Sequence, residues 1–307
     1  MNKRCRFHLG YHFLAVLTVA VWGVTFVNTK LLLSAGMLPM EIFFVRFIIA
    51  YLCIWTISPR RLFADNWQDE LCFLFLGITG GSVYFIVENT ALQLSLANNV
   101  SFIVCTAPLI TMLLAILVIK SVRASVPLVV GSLTALIGMG LVVYNGHFVL
   151  HLNPLGDLLA FAAAICWAVY SLLIKRVSLR YKATFVTRKV FFYGILTVLP
   201  FFIMASFAEL PGIAPWRFPL ARMTEPVVFA NLLFLSVMAS FACFLWWSVA
   251  VKKLGALRTS NYVYLNPVFT VVASSLILSE PMTLIAFVGS VLILIGVYIA
   301  NRQGIAQ

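Results

Sequence analysis

Two ionisable residues, Glu88 and Arg46, lie inside long apolar stretches of the sequence, where a charged side chain is costly unless it faces a cavity or a partner. Gly77, Gly81, Tyr84 and Glu88 follow one another at intervals of four, three and four residues, so in a helix they share one face. A carboxylate in this place can bind a substrate or take up and release a proton. The competing explanations are a structural ion pair with Arg46 and a location near the outer membrane interface.

The depth of Arg46 allows two different roles. It lies about seven residues into its apolar stretch, which is about 10 Å along a helix at 1.5 Å per residue. A guanidinium group at this depth can recognise a carboxylate through two parallel hydrogen bonds. It can equally lock a neighbouring helix by pairing with Glu88 or Glu41, and the sequence favours that structural role.

Aromatic and amide side chains occupy the matching faces of other apolar stretches. Aromatic rings can stack on a substrate, although tryptophan and tyrosine are also ordinary packing and interface residues in membranes. Amides can bind a substrate or form hydrogen bonds between helices. The candidates for lining a central cavity are Trp22, Arg46, Tyr84, Glu88, Asn89, Trp167, Tyr170, Trp247, Asn261, Tyr262 and Tyr264.

The composition explains why these residues must be carried by membrane helices. The chain has 307 residues, of which 63% are hydrophobic and 10% are charged, and its mean hydropathy is +1.06. A soluble domain has roughly 45–50% apolar and about 25% charged residues. A transmembrane helix needs about 20 mostly apolar residues. The sequence predicts an all-α integral membrane protein with ten such helices, at about residues 11–33, 39–57, 71–93, 98–119, 126–144, 155–175, 185–207, 227–251, 259–279 and 283–300.

The distribution of basic residues predicts the orientation of these helices. The net charge is +12, but the basic residues lie in short clusters between apolar stretches, which argues against nucleic-acid binding. A cytoplasmic N-terminus puts most lysines and arginines on the inner side, so the positive-inside rule predicts a multi-pass protein of the inner (plasma) membrane with both termini in the cytoplasm. Those residues are Lys3, Arg4, Arg6, Arg60, Arg61, Lys120, Arg123, Lys175, Arg176, Arg180, Lys182, Arg188, Lys189, Lys252, Lys253, Arg258 and Arg302.

The two halves of the chain share residues at fixed offsets, which predicts a repeat. Residues 1–146 would hold helices one to five and residues 147–307 helices six to ten. Five is an odd number, so the copies enter the membrane in opposite directions and the site is expected near the midplane between them. Trp247 occupies the repeat position of Glu88. Other matched pairs are Trp22/Trp167, Lys30/Lys175, Arg46/Arg188, Tyr51/Tyr193, Phe75/Phe234, Ala91/Ala250, Ala97/Ala256, Ser101/Ser260, Pro108/Pro267, Gly131/Gly289 and Gly138/Gly296.

Side chains near the helix ends are predicted to meet water. Lys30 and Lys175 are expected to extend to the outer and inner interfaces. Asp65, Asp69 and Glu70, from only nine acidic residues, are interpreted as a solvated face in a cytoplasmic loop rather than as the reactive cluster of a membrane enzyme. The sequence contains no phosphate-binding loop, and its six cysteines lack metal-ligand spacing. We therefore expect no direct use of ATP, no metal and no cofactor.

Several motifs together resemble the EamA-type family of the drug/metabolite transporter superfamily. They are Trp22-Gly23, Arg46-Phe47, the stretch at 91–108, Tyr264-Leu265-Asn266-Pro267, Leu278-Ser279-Glu280-Pro281, Gly289 and Gly296. At the repeat position of Glu280-Pro281 the first half has Ser121-Val122 beside Lys120 and Arg123, a departure from the pattern in a loop that the inverted copy places in the cytoplasm.

The resemblance implies a function and a helix arrangement. Helices one to four and six to nine would surround a central cavity, with five and ten outside it. The chain would be a monomeric secondary transporter in the lipid bilayer, exporting small metabolites such as amino acids by alternating access. Proton coupling through Glu88 is a hypothesis. An uptake carrier, a drug efflux pump, a channel and a non-transport membrane enzyme are the alternatives, and the sequence does not identify the substrate.

Overall fold

The computed structural model describes residues 3–59, 63–95, 97–118, 125–144, 153–207, 220–277 and 283–302, and within them all regular secondary structure is helical. This confirms the all-α class. We number the long helices along the chain and treat segments that continue one another as one helix. They are α1 Lys3–Ser34, α2 Pro39–Ile57, α3 Trp67–Leu94, α4 Ala97–Val104 with Ala107–Val118, α5 Val126–Tyr144, α6 Pro154–Ser178, α7 Ala183–Phe207, α8 Pro226–Leu254, α9 Ala256–Ser260 with Asn261–Leu265 and Asn266–Ile277, and α10 Leu284–Arg302. A short helix, Leu220–Met223, precedes α8.

Many of these helices are long and apolar enough to cross a bilayer. Seven stretches of the described residues meet both conditions, which confirms a multi-pass membrane protein. The predicted boundaries of α2 and α5 coincide with the observed ones, and α7 ends where predicted. The first helix begins eight residues earlier than predicted, at Lys3, and the remaining ends differ by one to four residues. The seven stretches are Leu9–Ser34, Pro39–Ile57, Trp67–Leu94, Asn99–Val118, Pro154–Ser178, Pro226–Leu254 and Leu284–Asn301.

Four of the helices are irregular near their middles. In α3 the turn Ile78–Ser82 is π-helical, with Gly81 at φ −129° and ψ −106°, and in α8 the π-helical stretch is Phe234–Ala242. The helix α4 breaks before Ala107, and α9 tightens into a 3₁₀ turn at Asn261–Leu265. In both α4 and α9 the segment after the irregular turn has a proline as its second residue, Pro108 and Pro267, and proline cannot donate the backbone hydrogen bond that would continue a regular helix. Such irregularities are frequent at functional sites.

The helices group into two bundles that do not follow the order of the chain. The α1 bundle consists of α1, α8 and α9, and the α6 bundle consists of α3, α4 and α6. Trp22 of α1 donates from Nε1 to the Ala239 carbonyl of α8 at 2.9 Å, and Thr270 of α9 donates to the Gly23 carbonyl at 2.8 Å. The helices α2 and α7 pack on each other, while α2 also touches α8 and α7 touches α3. The first helix of each half therefore belongs to a bundle made mainly from the other half.

The helices α5 and α10 form a separate close pair through four glycines. A Cβ atom added at Gly131 would lie 2.6 Å from the Gly296 carbonyl oxygen, and one added at Gly296 would lie 2.6 Å from the Gly131 oxygen. Gly138 and Gly289 show the same reciprocal distance of 2.6 Å. Helix backbones can approach so closely only where both surfaces lack side chains.

This contact predicts a specific sensitivity to single methyl groups. Gly296→Ala should lower stability by about 1–3 kcal/mol because the backbones must separate to admit the methyl group. Gly140→Ala is the matched control, since Gly140 lies on the same α5 helix but has nothing within 4 Å of the added Cβ atom. The measurement is the apparent Tm of both variants in detergent, followed by size-exclusion chromatography. Equal Tm values for the two variants would contradict the close contact.

Candidate functional site

A small cavity lies between the two bundles. Its volume is about 30 Å³, which is room for about two water molecules. This space is smaller than an amino acid. Within the described residues the lining comes from α1, α2, α3, α4, α6, α8 and α9, and neither α5 nor α10 contributes. The lining residues are Trp22, Thr25, Phe26, Arg46, Tyr84, Phe85, Glu88, Val104, Trp167, Phe244, Val263 and Asn266.

The acidic group of the cavity is the Glu88 carboxylate. Its side chain is 7% exposed, and the Tyr84 hydroxyl donates to its Oε1 atom at 2.7 Å. Both residues lie on α3 one turn apart, just after the π-helical turn, as their spacing predicts. Glu88 thus has one oxygen held by the protein, and it faces the central space rather than the outer interface.

The basic group is the Arg46 guanidinium, which is 3% exposed. Its Nε atom donates to the Ser240 hydroxyl on α8, and its central carbon lies 4.4 Å from the centre of the Phe85 ring. Within the described residues no ion pair joins Arg46 to Glu88 or Glu41. The predicted lock through either carboxylate is therefore wrong, because Arg46 connects α2 to the serine of α8 instead.

Glu41 has a different task near the start of α2. Its Oε2 atom accepts a hydrogen bond from the Leu38 backbone N–H at 2.9 Å. This is the geometry of a capping box, in which an acidic side chain satisfies a free amide at a helix N-terminus. Glu41 therefore stabilises the end of α2, whereas Arg46 lines the cavity.

Aromatic rings form the wall of the cavity. Trp22 and Trp167 meet edge to face with ring centres 5.0 Å apart, and the Phe85 and Phe244 rings lie 6.3 Å apart. Trp247 packs behind them, 5.1 Å from Trp22. The edge-on pair of Trp22 and Trp167 is favourable beyond the apolar area it buries. Trp167 lines the cavity, and its indole Nε1 is buried without a hydrogen-bond partner in the part of the chain described.

The structure brings together some of the predicted site residues and separates the others. Trp22, Arg46, Tyr84, Glu88 and Trp167 line one cavity. The others lie behind the lining or in contacts between helices. Tyr170 and Trp247 pack against Trp167, and Tyr264 is fully buried. Asn89 donates a hydrogen bond to the Pro39 carbonyl at 3.1 Å. Asn261 is hydrogen-bonded to Asn301 at 3.2 Å, and Tyr262 to His12 at 2.5 Å.

The predicted site residues did not include the apolar part of the lining, the hydroxyl of Thr25 or the amide of Asn266. The offset that matches Phe75 with Phe234 also matches Phe85 with Phe244, so the repeat held a signal for this pair. Val104, Val263 and Phe26 carry no such signal, because apolar residues are ordinary everywhere in a membrane protein. Their place in the lining follows only from the packing of the helices.

A second set of charges lies at the beginning of α3, away from the cavity. Asp69 is fully buried, forms a 3.1 Å ion pair with Arg180 and accepts a hydrogen bond from the Tyr181 hydroxyl. Glu70 pairs with Lys189 and also accepts from Tyr193. The predicted solvated face is therefore wrong for both carboxylates, which join α3 to α7 and to the loop before it.

Tyr181 contributes to that network as a neutral donor. It lies in the loop between α6 and α7, where burial raises the pKa of its hydroxyl. The hydroxyl therefore keeps its proton at physiological pH and can donate to Asp69. Each member of this network has a partner, so its geometry indicates a structural role.

Comparisons with known proteins show what this chain resembles. The sequence model of the EamA-like transporter family matches residues 9–144 and 154–302. A curated "uncharacterized transporter" of Archaeoglobus fulgidus is 26% identical over 296 residues, 95% of this chain and 97% of that protein. A "probable amino-acid metabolite efflux pump" of Escherichia coli is 23% identical over 93% of each chain. A "probable terminal-alkyne amino-acid exporter" of Streptantibioticus cattleyicolor is 24% identical over 95% of this chain and 93% of that protein.

One solved crystal structure has the same fold. It aligns over 96% of both chains with a TM-score of 0.69 and 17% sequence identity. At this level of identity the likeness concerns the fold alone. It agrees with the family match, which covers nearly the whole chain.

The Arg46–Ser240 contact predicts the effect of removing one hydroxyl. Ser240→Ala should lower stability by about 1–3 kcal/mol, because the Nε donor of a buried guanidinium loses its partner. Ser236→Ala is the matched control: Ser236 is equally buried on α8 but donates only to the Leu232 carbonyl of its own helix. The apparent Tm of each variant measures the difference. If Ser236→Ala destabilised the protein as much as Ser240→Ala, the contact with Arg46 would add nothing measurable to stability.

Proposed function

This chain belongs to the EamA-like transporter family, and we propose that it is a secondary active transporter that exports amino acids or closely related metabolites by alternating access. The observation that carries this proposal is a buried cavity in which Glu88 and Arg46 face the same space without pairing with each other. Two relatives bear names that refer to amino-acid export, which supports the same class of substrate.

The proposed architecture is ten membrane helices in two inverted repeats of five, with the boundary near residue 146. Three observations support it. The family model matches the chain in two consecutive ranges, 9–144 and 154–302. The π-helical stretches of α3 and α8 fall at equivalent positions, as do the breaks of α4 and α9. The glycines of α5 and α10 contact each other reciprocally.

The charges of the chain support an orientation with both termini in the cytoplasm of an inner membrane. In that orientation the buried network of Asp69, Glu70, Arg180 and Lys189 lies at the inner side. The ends of α1 and α3 near Lys30 and Leu94 then lie at the outer side. The positive-inside rule is the basis of this assignment.

The two charged groups fit the two ends of an amino acid. The Nε atom of Arg46 is held by Ser240, so the outer nitrogens of the guanidinium are left to bind a carboxylate. Glu88 has Oε1 occupied by Tyr84, which leaves Oε2 for an ammonium group. The Trp167 indole N–H supplies another donor, and the rings of Phe85 and Phe244 can accept an apolar side chain. A substrate with one carboxylate, one ammonium group and an apolar side chain uses every part of this surface.

The moving units in this proposal are the α1 bundle and the α6 bundle. The cavity lies between them, and α2 and α7 connect them. The cavity volume of about 30 Å³ is too small for the substrate, so the structure corresponds to a compact state of the cycle. Separation of the bundles at one end at a time would expose Glu88 and Arg46 to one side of the membrane.

Glu88 also offers a route for coupling to protons. A carboxylate that binds the substrate's ammonium group is left unpaired when the substrate departs, and a buried unpaired charge is costly. Uptake of a proton from the outside would neutralise it during the return step. The proton would then leave to the cytoplasm when the next substrate binds, so that proton entry drives export.

Glu88→Gln tests this role in proteoliposomes loaded with radiolabelled amino acid. If Glu88 carries only the proton, the variant should lose accumulation driven by a pH gradient but retain substrate exchange at equal pH. If Glu88 also binds the ammonium group, exchange should fall by about tenfold or more, the loss expected for a buried charged hydrogen bond. Glu225→Gln, at an exposed position before α8, is the control and should leave both rates unchanged. Normal transport and normal pH dependence in Glu88→Gln would refute the assignment.

Arg46 is tested by comparing an amino acid with the amine that lacks its carboxylate. In the parent protein the amino acid should bind more tightly. In Arg46→Gln this preference should shrink by about tenfold or more, because the charged contact to the carboxylate is gone. The readout is the ratio of two Kd values in one variant, so a partial loss of folded protein cancels. An unchanged ratio would mean that Arg46 holds α2 to α8 without touching the substrate.

A further inference from the structure

Lys30 is predicted to extend to the outer interface. In the structure it is half-buried, and its ammonium group binds the end of α3. Its Nζ atom donates to the Leu92 carbonyl at 2.5 Å and to the Ser95 carbonyl at 3.0 Å. These oxygens belong to the last turn of α3 and to the residue that follows it. The final carbonyls of a helix lack partners within the helix and carry its negative dipole end, so a lysine is a favourable cap there.

This cap crosses between the two bundles. Lys30 belongs to α1 and hence to the α1 bundle, whereas Leu92 and Ser95 belong to α3 and its end, in the α6 bundle. Asn153 also caps this end through the Leu94 carbonyl at 3.0 Å, but Asn153 begins α6 and stays within its own bundle. The two hydrogen bonds of Lys30 therefore close the outer end in a way that bundle separation would break.

The predicted repeat places a second lysine where it could cap a helix at the opposite end. Lys175 occupies the position of Lys30 and lies on α6, in the α6 bundle. The offset that matches Ala91 with Ala250 matches Leu92 and Ser95 with Val251 and Leu254, which end α8 in the α1 bundle. Lys175 is half-buried and makes no hydrogen bond or ion pair to any part of the chain that the structure describes.

We propose that Lys30 and Lys175 are reciprocal latches of the transport cycle. The outer latch is engaged in this structure and the inner one is not. When the outer end opens, Lys30 leaves the end of α3, and Lys175 caps the end of α8 by donating to the Val251 and Leu254 carbonyls. The proposal rests on the alternating access proposed above, and it adds the residues that hold each end closed.

The exchange of one latch for the other keeps the two states of the cycle close in free energy. A charged hydrogen bond at a buried helix end is strong enough to hold one state if nothing replaces it. An equivalent bond formed at the other end offsets the loss, so neither state dominates. Lys252 of α8 donates to the carbonyl of Tyr181 at 3.0 Å, so α8 contacts the loop that follows α6 at this end.

The test measures the opening of each end separately by double electron–electron resonance. Spin labels are attached to cysteines in a variant that lacks the native cysteines and is confirmed to be folded. The outer pair is Ser34→Cys with Gln93→Cys, at the exposed ends of α1 and α3. The inner pair is Leu179→Cys with Lys253→Cys, at the exposed ends near α6 and α8. Each pair spans the two bundles.

Lys30→Met should raise the ratio of long to short outer distances by about tenfold or more, the effect of losing a charged hydrogen bond. Lys175→Met should leave the short outer distance dominant and reduce the inner-closed population. Lys30→Arg should stay close to the parent, since it keeps the charge and the donors. Lys182→Met removes an exposed cytoplasmic charge as the matched control and should change neither distribution.

Outer distances in Lys30→Met that coincide with those of the parent would overturn the outer latch. Equal responses of the outer pair to Lys30→Met and Lys175→Met would overturn reciprocity. If Lys30→Met does not fold, the inner distances of Lys175→Met still decide whether the second latch exists. The distances require no substrate, so a wrong substrate class leaves this test intact. Normal amino-acid transport with unchanged distances would reject the latches and retain the proposed function.

Discussion

The energetic cost of charge in an apolar interior constrains this fold more than any other interaction. A buried guanidinium or carboxylate persists only where the protein supplies hydrogen bonds or a polar cavity. Arg46 meets this condition with Ser240 and with the face of Phe85, and Glu88 meets it with Tyr84. None of these contacts neutralises either charge. The cavity is therefore lined by one basic and one acidic side chain that form no direct ion pair within the described residues.

The same constraint decides what could be predicted from the sequence. Helix boundaries follow from the lengths of apolar stretches, and Glu88 and Arg46 stand out because ionisable residues are rare there. The partner of Arg46 was not predictable, since Ser240 becomes its neighbour only when α2 packs on α8. The partners of Asp69 and Glu70 were missed for the same reason. A run of acidic residues in a predicted loop indicates a solvated surface, and only the packing of α7 on α3 provides the partners of Glu70.

The aromatic wall and the charged groups differ in their relation to the repeat. Trp22 with Trp167 and Phe85 with Phe244 occupy matched positions, so the wall is nearly symmetric. Glu88 has no acidic counterpart, since the matched residue is Trp247, which is fully buried behind the wall. Under the proposed alternating access, a symmetric wall would suit a site that faces each side of the membrane in turn. The asymmetric charge would then give a bound molecule a single orientation.

The packing of α1 on helices of the second half determines which parts of the molecule the hydrogen bonds of Lys30 connect. Lys30 and the end of α3 are in the same half of the sequence, so a rigid rotation of one half against the other would leave their hydrogen bonds intact. Because α1 packs on α8 and α9, those bonds instead connect two different bundles. In the proposed cycle, separation of the bundles at this end would break them. Contacts that are local in the chain thus become contacts between bundles, and in the proposed inverted repeat Lys175 would have the equivalent arrangement at the other end.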